Sequence, residues 1–512
     1  MDHKSFRTKI KFKYFIILLF GFSLELQAQK HYDYNWLFGY GTGIPDSSRP
    51  FGGVIMSFAN KQIRFSAQAR VFEFNYQSNS FSDIEGQLLY MSNGCFVADA
   101  FGEIIPNGDS IGYGRIWGIN CPKYQPVPQA GIFINFSTQK DSLVFLHTIL
   151  DTIDNGLKVF LKAIYETKID IKNNIVTSKN KIILYDTLYG GGLTAIQSSD
   201  TSKWWVITAR NYTNEFYTFL YSNIGVEKIL KQKLGLNHIS AGSGGAQGVF
   251  SPDGKRYAFY SMLNGLQVFD FNRINGELSN YRLYNITFPQ NSTGGCGFSP
   301  NSRFVYVSNP TEVIQVDLLE QDSSKAIDTV GIFDNFFAPY PATFMQMALG
   351  PDCRMYITAG GGNQYLHVIT KPNLKGKECM LINRGLKLPT RNSHATTNFP
   401  HYRVDDPYPC DSTISIPLNT AVEDEYKFKD SEIMVYPNPA SSILFVHDLK
   451  RKINLPIRLR LIDLNGKVCF TQQYNSIQEE IKIPIPDLQP GMFIIQIIDQ
   501  DGNYWIDKFI KE

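Results

Sequence analysis

Most of this chain consists of short runs in which apolar residues alternate with polar ones, and a turn bounds each run. One turn recurs in three clear copies, at residues 251–255, 299–303 and 350–354, and its prolines are 48 and 51 residues apart. Proline presets φ at the second position of a type I turn, and Asp, Asn and Gly suit the positions that follow. Because strand-forming residues follow every copy, the pattern predicts β-strands in repeats of about 50 residues.

Weaker copies of the turn precede further strand-like runs near residues 82–86, 139–141 and 199–203. A fixed period of about 50 residues with several strands in each repeat is typical of a β-propeller. We therefore predict an all-β fold in which residues 29–404 form a β-propeller of about seven blades, with six or eight as alternatives. A β-helix has shorter rungs, and two sandwiches would not repeat one turn. Residues 399–404 are expected to close the ring by pairing with an N-terminal strand.

The end of the chain shows the same alternation on a smaller scale. Residues 458–464 alternate charged and apolar side chains, as a strand with one wet face does, and Asn465-Gly466 suits a two-residue hairpin turn. Short strands with regular turns predict a small immunoglobulin-like β-sandwich over residues 432–512. The polar, proline-containing stretch 405–431 is predicted to be a linker.

The N-terminus has the composition of an export signal. Basic side chains within residues 4–13 are followed by the apolar run 14–24 and then by the small residue Ala28. An apolar run of this length is too short to cross a bilayer, which takes about 20 residues. We predict a signal peptide over residues 1–28, cleaved between Ala28 and Gln29, and no transmembrane segment in the mature chain.

Charge and cysteine content limit the classes of partner. The net charge is +2, and the basic signal peptide accounts for it, so the mature chain is nearly neutral and lacks the basic field that nucleic acid requires. Seven cysteines in an exported chain allow disulfides and leave at least one thiol unpaired. Cys353 and Cys379 lie in one repeat and could bridge neighbouring strands, although buried unpaired cysteines fit at least as well. No cysteine or histidine spacing suggests zinc.

Three segments of the tail resemble a known export module in their order and spacing: YPNP at residues 436–439, IDLNGKV at 462–468 and LQPGMFIIQI at 488–497. The tail resembles the type A C-terminal sorting domain of cargo of the type IX secretion system of Bacteroidota. The resemblance implies recognition by the secretion machinery at the outer membrane, so the protein is expected to be secreted or on the cell surface, by way of the periplasm. It assigns the sorting motif to Tyr436, Pro437, Asn438, Pro439, Asn465, Gly466 and Gly491.

The body also has a family likeness. WLFGYGTGI at residues 36–44, SDIEGQLLYMSNG at 82–94 and MALGPDCRMYITAG at 347–360 resemble segments of secreted Bacteroidota propeller proteins that carry this tail. More distantly, they are similar to the YVTN and lactonase-type propellers. Ser302 and Cys353 stand where the repeat usually has glycine, and this departure concerns turn geometry rather than chemistry.

Side chains that could carry chemistry are scattered and lie beside turns or strand ends: His238, Ser240, Ser243, Asp270, Asp317, His394 and His401. Histidines could transfer protons or bind a metal, His238 with the serines could form a nucleophile pair, and the aspartates could bind Ca²⁺. Turn and strand positions explain each of them better than a functional role does, so no catalytic, cofactor-binding or metal site is predicted. The glycine run 190–192 lacks the lysine of a phosphate loop. Trp204-Trp205 is expected in the core.

Two functions fit these features, because propellers carry enzymes and binding modules alike. The first is an exported binding or interaction module with a glycan or protein ligand. The alternative is a secreted hydrolase or lactonase-like enzyme with its site at the axial mouth of the propeller, which requires acidic, His or Arg side chains from several blades to converge there. The sequence shows no such convergence, so the binding module is favoured.

Overall fold

A computed structural model describes residues 30–114, 117–121, 123–137, 139–153, 158–238, 245–288, 293–322, 324–394, 396–406, 409–418, 433–448, 455–463, 468–476, 480–499 and 504–512. The predicted signal peptide and its cleavage site at Ala28 and Gln29 lie outside these residues, as do Asn465 and Gly466.

Seven antiparallel sheets precede residue 393, and each is one blade in which consecutive strands are neighbours. Blade 1 holds β1 (Asn35–Phe38), β2 (Gly53–Ser57) and β3 (Arg64–Gln68); blade 2 holds β4 (Asn79–Ser82), β5 (Leu88–Ser92) and β6 (Ala98–Asp99). Blade 3 holds β7 (Gly131–Phe136), β8 (Gln139–Ile153), β9 (Lys158–Asp170) and β10 (Ile175–Leu188). Blade 4 holds β11 (Thr194–Gln197), β12 (Trp204–Ala209), β13 (Glu215–Ser222) and β14 (Gly225–Lys233).

The last three blades have four strands each. Blade 5 holds β15 (Gln247–Phe250), β16 (Arg256–Ser261), β17 (Gly265–Asn272) and β18 (Glu277–Tyr284); blade 6 holds β19 (Gly295–Phe298), β20 (Phe304–Asn309), β21 (Glu312–Asp317) and β22 (Ile327–Ile332). Blade 7 holds β23 (Phe344–Leu349), β24 (Met355–Ala359), β25 (Asn363–Ile369) and β26 (Leu381–Asn392). Short helical segments lie at Ala59–Lys61, Trp117–Asn120 and Gly376–Cys379.

The blades form a closed ring. Seven clusters of buried apolar side chains each join two neighbouring blades, and the last joins blade 7 to blade 1 through Trp36, Phe58, Tyr356 and Leu388. The prediction of an all-β propeller of about seven blades is confirmed.

Burial explains why the repeat was readable in the sequence. Strand β20 is buried along its whole length because a blade packs against each of its faces, whereas the outer strand β14 is largely exposed. Gly254, Ser302 and Cys353 occupy the same turn position, with φ of 68°, 59° and 66°. Ser302 and Cys353 therefore keep the backbone of the glycine they replace, at a cost of about 1 kcal/mol each.

Two disulfides are present, Cys95–Cys121 and Cys353–Cys410. The suggested Cys353–Cys379 bridge is therefore wrong. Cys379 is buried with a free thiol in the core between blades 6 and 7, whereas Cys353 lies in the turn between β23 and β24. Burial raises the pKa of the Cys379 thiol, so that it acts as a small apolar side chain.

Part of the predicted linker packs against the ring. Cys410 is covalently joined to blade 7, Ile414 is buried in the core between blades 7 and 1, and Ser415 bridges Gln62 in parallel. Residues 419–432 lie outside the described part. The boundaries at 29, 404 and 431 stay predictions.

The tail forms two sheets packed around one core. One holds β27 (Ile433–Tyr436), β28 (Ile443–Asp448) and β31 (Ile481–Pro484); the other holds β29 (Ile457–Asp463), β30 (Val468–Tyr474), β32 (Gly491–Ile498) and β33 (Tyr504–Lys511). Leu459, Ile483, Ile495 and Phe509 are fully buried between them. Within the described residues, no helix is long and apolar enough to cross a membrane.

Candidate functional site

The ring has two distinct faces. The upper face carries the connections from one blade to the next. The lower face carries the recurrent turns at residues 251–255, 299–303 and 350–354, which join the first and second strands of blades 5 to 7. The central channel runs between the faces and is lined by the first strands, which contact one another from blade to blade.

An axial segment, residues 396–403, runs down the channel from the upper to the lower face. The backbone N–H of Asn398 donates to the Ser78 carbonyl at 2.8 Å, and that of His401 donates to the Ala195 carbonyl at 2.7 Å. These contacts are parallel bridges beside β4 and β11. The expected pairing of residues 399–404 with an N-terminal strand is therefore wrong, because backbone groups buried in the channel find their partners on blades 2 and 4 instead.

The side chain of Asn398 joins blades 3 and 4 to the axial segment. Its Nδ2 donates to the Gly131 carbonyl at 2.8 Å and the Leu193 carbonyl at 3.1 Å, and its Oδ1 accepts from Gln129 Nε2 at 3.2 Å. Asn398 is 6% exposed, so these bonds are made away from water. The axial segment thus fills the channel beside blades 2 to 4.

A cavity of about 160 Å³ remains beside blades 5 to 7, near the lower face. Polar side chains on its wall are bound to the ring: Gln247 Nε2 donates to the Met347 carbonyl at 2.6 Å, and Gln247 Oε1 accepts from Cys296 N at 3.1 Å. Arg403 and Asp33 form an ion pair at its edge, and Arg403 Nε has no hydrogen-bond partner within the described residues. The contacts of Gln247 join the first strands of blades 5, 6 and 7.

His401 has a structural role on the lower face. Its Nε2 lies 3.0 Å from the carbonyl oxygens of Ser251 and Pro252, so Nε2 carries the proton and donates. Burial lowers the pKa of His401 to about 4, which leaves the ring neutral at pH 7. The hypothesis of a proton-transfer pair with His394 finds no support, because His394 lies on the opposite face.

The upper mouth of the channel carries an aromatic cluster, defined as Tyr40, Phe51, Tyr76, Tyr124 and His394. Tyr76 stacks on His394 with the ring centres 4.5 Å apart, and its centre is 5.4 Å from that of Tyr124. Tyr40 is 41% exposed and lies 6.0 Å from Phe51, centre to centre. The cluster therefore offers aromatic surface to solvent beside the channel.

His394 is held in place from two sides. Its backbone N–H donates to the Asn75 carbonyl at 3.2 Å, and its carbonyl accepts from Thr358 Oγ1 at 2.6 Å. Its Nδ1 lies 2.6 Å from Ser393 Oγ, and burial lowers its pKa to about 4. This neutral ring has no carboxylate partner among its described contacts, so the contact with Ser393 lacks the third group that orients a base towards a nucleophile.

One carboxyl group stands at this mouth with an altered titration. Burial raises the pKa of Glu73, which accepts a hydrogen bond from the Gly41 backbone and feels the nearby charge of Lys123. The Tyr124 hydroxyl lies within reach of the charge on Glu73. Glu73 and Tyr124 are therefore titratable groups from different connections that lie close together. A single carboxyl group could act as a general acid or a general base, but it does not by itself form a catalytic site.

Buried amides without partners flank the aromatic cluster. Gln77, Gln346 and Asn392 are at most 1% exposed, and neither polar atom of these side chains has a hydrogen-bond partner in the described part of the chain. Gln77 follows Tyr76, and Asn392 precedes His394 by two residues. Thr358 Oγ1 contacts the carbonyls of both His394 and Gln346, which places Gln346 beside the cluster.

Sequence reasoning missed the aromatic cluster, although one signal was present. The dipeptide Tyr-Gln occurs twice, at Tyr76-Gln77 and Tyr124-Gln125, each time in the connection that leads into the next blade. Such connections gather at the upper face of a propeller, so a repeated aromatic-amide pair there indicates a shared surface.

The other candidates named above have structural roles. Asp317 accepts from Arg303 at 2.7 Å, and this hydrogen bond lowers the pKa of Asp317, while Asp270 accepts from Asn280 at 2.7 Å. His238 is buried against aromatic rings, and Ser240 and Ser243 lie outside the described residues. The described part contains no cluster of metal-binding side chains.

The glycine run and the tryptophan pair belong to the packing of the ring. Gly191 bridges Ala246 in parallel, and a Cβ at Gly191 would come within 2.6 Å of the Ala246 carbonyl oxygen. Trp204 and Trp205 are each 1% exposed, and their indole N–H groups donate to carbonyls at 2.8 Å.

In the tail, Asn438 joins the opening of the sandwich to its last strand. Its Oδ1 accepts from the Ile510 N–H at 2.9 Å, and its Nδ2 donates to the Lys508 carbonyl at 3.1 Å. Tyr436 hydrogen-bonds Glu480, and Gly491 begins β32 opposite Lys511. The role of these residues and of Pro437 and Pro439 as a sorting motif stays a prediction.

Comparison with known proteins places the tail in a family. Residues 434–512 match the model of the secretion system C-terminal sorting domain. No curated protein matches the chain.

Among solved structures, a periplasmic gluconolactonase of Pseudomonas aeruginosa is 12% identical, with 71% of this chain and 98% of that one covered and a TM-score of 0.36. A putative 6-phosphogluconolactonase of Bacteroides fragilis is 14% identical, with coverages of 58% and 94% and a TM-score of 0.27. A gluconolactonase of Xanthomonas campestris is 12% identical, with coverages of 65% and 89% and a TM-score of 0.29. Similarities this weak say nothing about chemistry at the upper mouth.

The seven sheets before residue 393 form the blades of a closed ring, and residues 434–512 match the sorting domain. The chain is a seven-bladed β-propeller that carries a type IX secretion sorting domain at its C-terminus, and that system delivers it to the cell surface or to the medium.

Proposed function

We propose that the protein is an exported binding module and that the upper mouth of its propeller binds a polyhydroxylated ligand, such as the sugar rings of a glycan. The observation that carries this proposal is the exposed aromatic cluster beside buried amides that lack partners. A sugar ring presents apolar C–H faces that pack on aromatic rings, and its hydroxyls match the donors and acceptors of Gln and Asn. Buried amides without partners require such groups, or water, to offset their lost hydration.

The filled channel supports this location. The axial segment occupies the centre of the ring, and at the upper mouth the side-chain amides of Gln77 and Asn392 lack hydrogen-bond partners within the described residues. Binding sites of this kind combine an aromatic wall with a few placed polar groups.

The second candidate is a hydrolase that uses Glu73 as an acid. The raised pKa of Glu73 at the mouth favours it, because burial that raises the pKa of a carboxyl group makes it more suitable as a proton donor. Against it, glycoside hydrolysis uses two carboxyl groups, and no second carboxyl group of the described residues influences the pKa of Glu73.

Substitution of the tyrosines tests the binding proposal. We expect Tyr76→Ala and Tyr124→Ala each to weaken glycan binding roughly three- to tenfold, since an aromatic contact contributes about 0.5–1.5 kcal/mol beyond its buried area. A glycan array would identify the ligand, and titration calorimetry would measure the affinities.

Tyr185→Ala is the matched control, because Tyr185 is 65% exposed on the outer strand β10 and its loss should leave binding unchanged. A folded protein that binds no glycan on the array contradicts the proposal. Turnover of a lactone or ester panel that disappears in Glu73→Gln, without loss of fold, would establish the hydrolase instead.

A further inference from the structure

A rigid turn on the lower face of blade 2 faces the tail. Asp99 Oδ1 accepts from the backbone N–H groups of Phe101 at 2.9 Å and Glu103 at 3.1 Å, and the Asp99 N–H donates to the Glu103 carbonyl at 2.9 Å. These bonds fix the turn and leave Asp99 Oδ2 and the Glu103 carboxylate available to cations. The turn is thus preorganised to receive cations.

Two arginines on β29 of the tail occupy this turn. Arg458 Nη1 lies 3.1 Å from Asp99 Oδ2, and the Arg458 guanidinium carbon is 3.6 Å from the centre of the Phe101 ring. Arg460 Nη2 lies 3.0 Å from Glu103 Oε1. Arg458 and Arg460 are two residues apart and so share one face of the sheet, opposite the buried side chain of Leu459.

The contact is partly shielded from water. The side chains of Arg460, Asp99 and Arg458 are 1%, 14% and 22% exposed, whereas that of Glu103 is 37% exposed. Exposed ion pairs contribute little because solvent screens them, whereas shielded pairs that also stack on an aromatic ring contribute more. The alternating charges in the sequence of β29 indicated a wet face, and the structure places that face against the propeller.

We propose that the turn Asp99–Glu103 is a docking site for the sorting domain and holds it against the lower face of the ring while the precursor is intact. The other sheet of the tail keeps Met434 and Lys482 exposed, and this sheet is the side open to the secretion machinery. The docked tail also leaves the upper mouth uncovered, since the two lie on opposite faces.

Small-angle scattering on residues 30–512 tests the docking. In the double variant Asp99→Asn, Glu103→Gln, we expect a larger radius of gyration and maximum dimension than in the unsubstituted protein. Asn at position 99 keeps the oxygen that caps the turn and removes the charge that Arg458 contacts. Raising the salt concentration should enlarge the unsubstituted protein in the same direction, because salt screens ion pairs.

Asp83→Asn is the matched control, because Asp83 caps the neighbouring turn of blade 2, accepting from Glu85 N at 3.0 Å and Gln87 N at 2.8 Å, and forms no ion pair with the described residues of the tail. Its scattering should equal that of the unsubstituted protein. Arg458→Gln removes the contact from the other partner and should enlarge the molecule equally, which excludes a local failure of the turn. Unchanged dimensions in both Asp99→Asn, Glu103→Gln and Arg458→Gln, or an equal expansion in Asp83→Asn, would overturn the proposal.

Discussion

A chain truncated after Glu432 will fail to reach the cell surface and will accumulate in the periplasm. The truncation removes the whole sorting domain at residues 434–512 and leaves the seven blades, the axial segment and both disulfides in place. We therefore expect nearly all extracellular protein to disappear while the propeller stays folded. Cell fractionation with immunoblotting measures the distribution, and thermal unfolding of the purified truncated protein checks the fold.

Two point variants test whether the secretion machinery recognises the folded tail or only its amino-acid sequence. Ile495 is fully buried in the sandwich, so Ile495→Asp places a carboxylate in the core and should abolish export as the truncation does. Ile510 is 43% exposed on the adjacent strand β33, and Ile510→Asp should leave export intact. Normal delivery of the truncated chain would show that another part of the protein carries the export signal.

Loss of the Cys353–Cys410 disulfide will lower the thermal midpoint of the propeller by about 5 °C. The bridge closes a loop with a sequence separation of 57. The entropy of such a loop corresponds to roughly 4 kcal/mol of stabilisation, and about 1.3 °C of midpoint follows each kcal/mol in a domain of roughly 370 residues. The double variant Cys353→Ser, Cys410→Ser, measured by differential scanning calorimetry, gives the shift.

Cys469→Ser controls for the loss of a cysteine as such, because Cys469 is an exposed residue of the tail outside both disulfides. Its thermal midpoint should match that of the unsubstituted protein. If the double variant also melts at that temperature, the bridge does not stabilise the ring, and the axial segment is held by its hydrogen bonds alone.

The blades could be predicted from the sequence because their information is local. The turns at residues 251–255, 299–303 and 350–354 carry their own conformational preference, and the buried strands β16, β20 and β24 follow them directly. The type of the tail was likewise readable, since its motifs lie within one short stretch, and the family match confirms it.

The axial segment could not be predicted, because its partners are remote and carry no side-chain signal. Asn398 binds the backbone carbonyls of Gly131 and Leu193, and a carbonyl is present at every residue of the chain. The pairing of Cys353 with Cys410 was hidden for the same reason, as it depends on the path of the chain after the last blade.

The candidate site was missed because sequence reasoning looked for titratable groups. The histidines it named are buried and neutral, and burial lowers the pKa of His394 and His401 to about 4. The aromatic cluster draws its tyrosines from three separate connections, buried amides lie beside it, and closure of the ring brings these residues together.

The axial segment makes the early blades depend on residues that are synthesised much later. Four backbone carbonyls of the early blades accept hydrogen bonds from the axial segment: those of Ser78, Gly131, Leu193 and Ala195. Their donors belong to Asn398 and His401, which come near the end of the propeller sequence. The first four blades therefore cannot reach their final form as they emerge. The ring can therefore be completed only when residues 398 and 401 are present, and the sorting domain follows them in the chain.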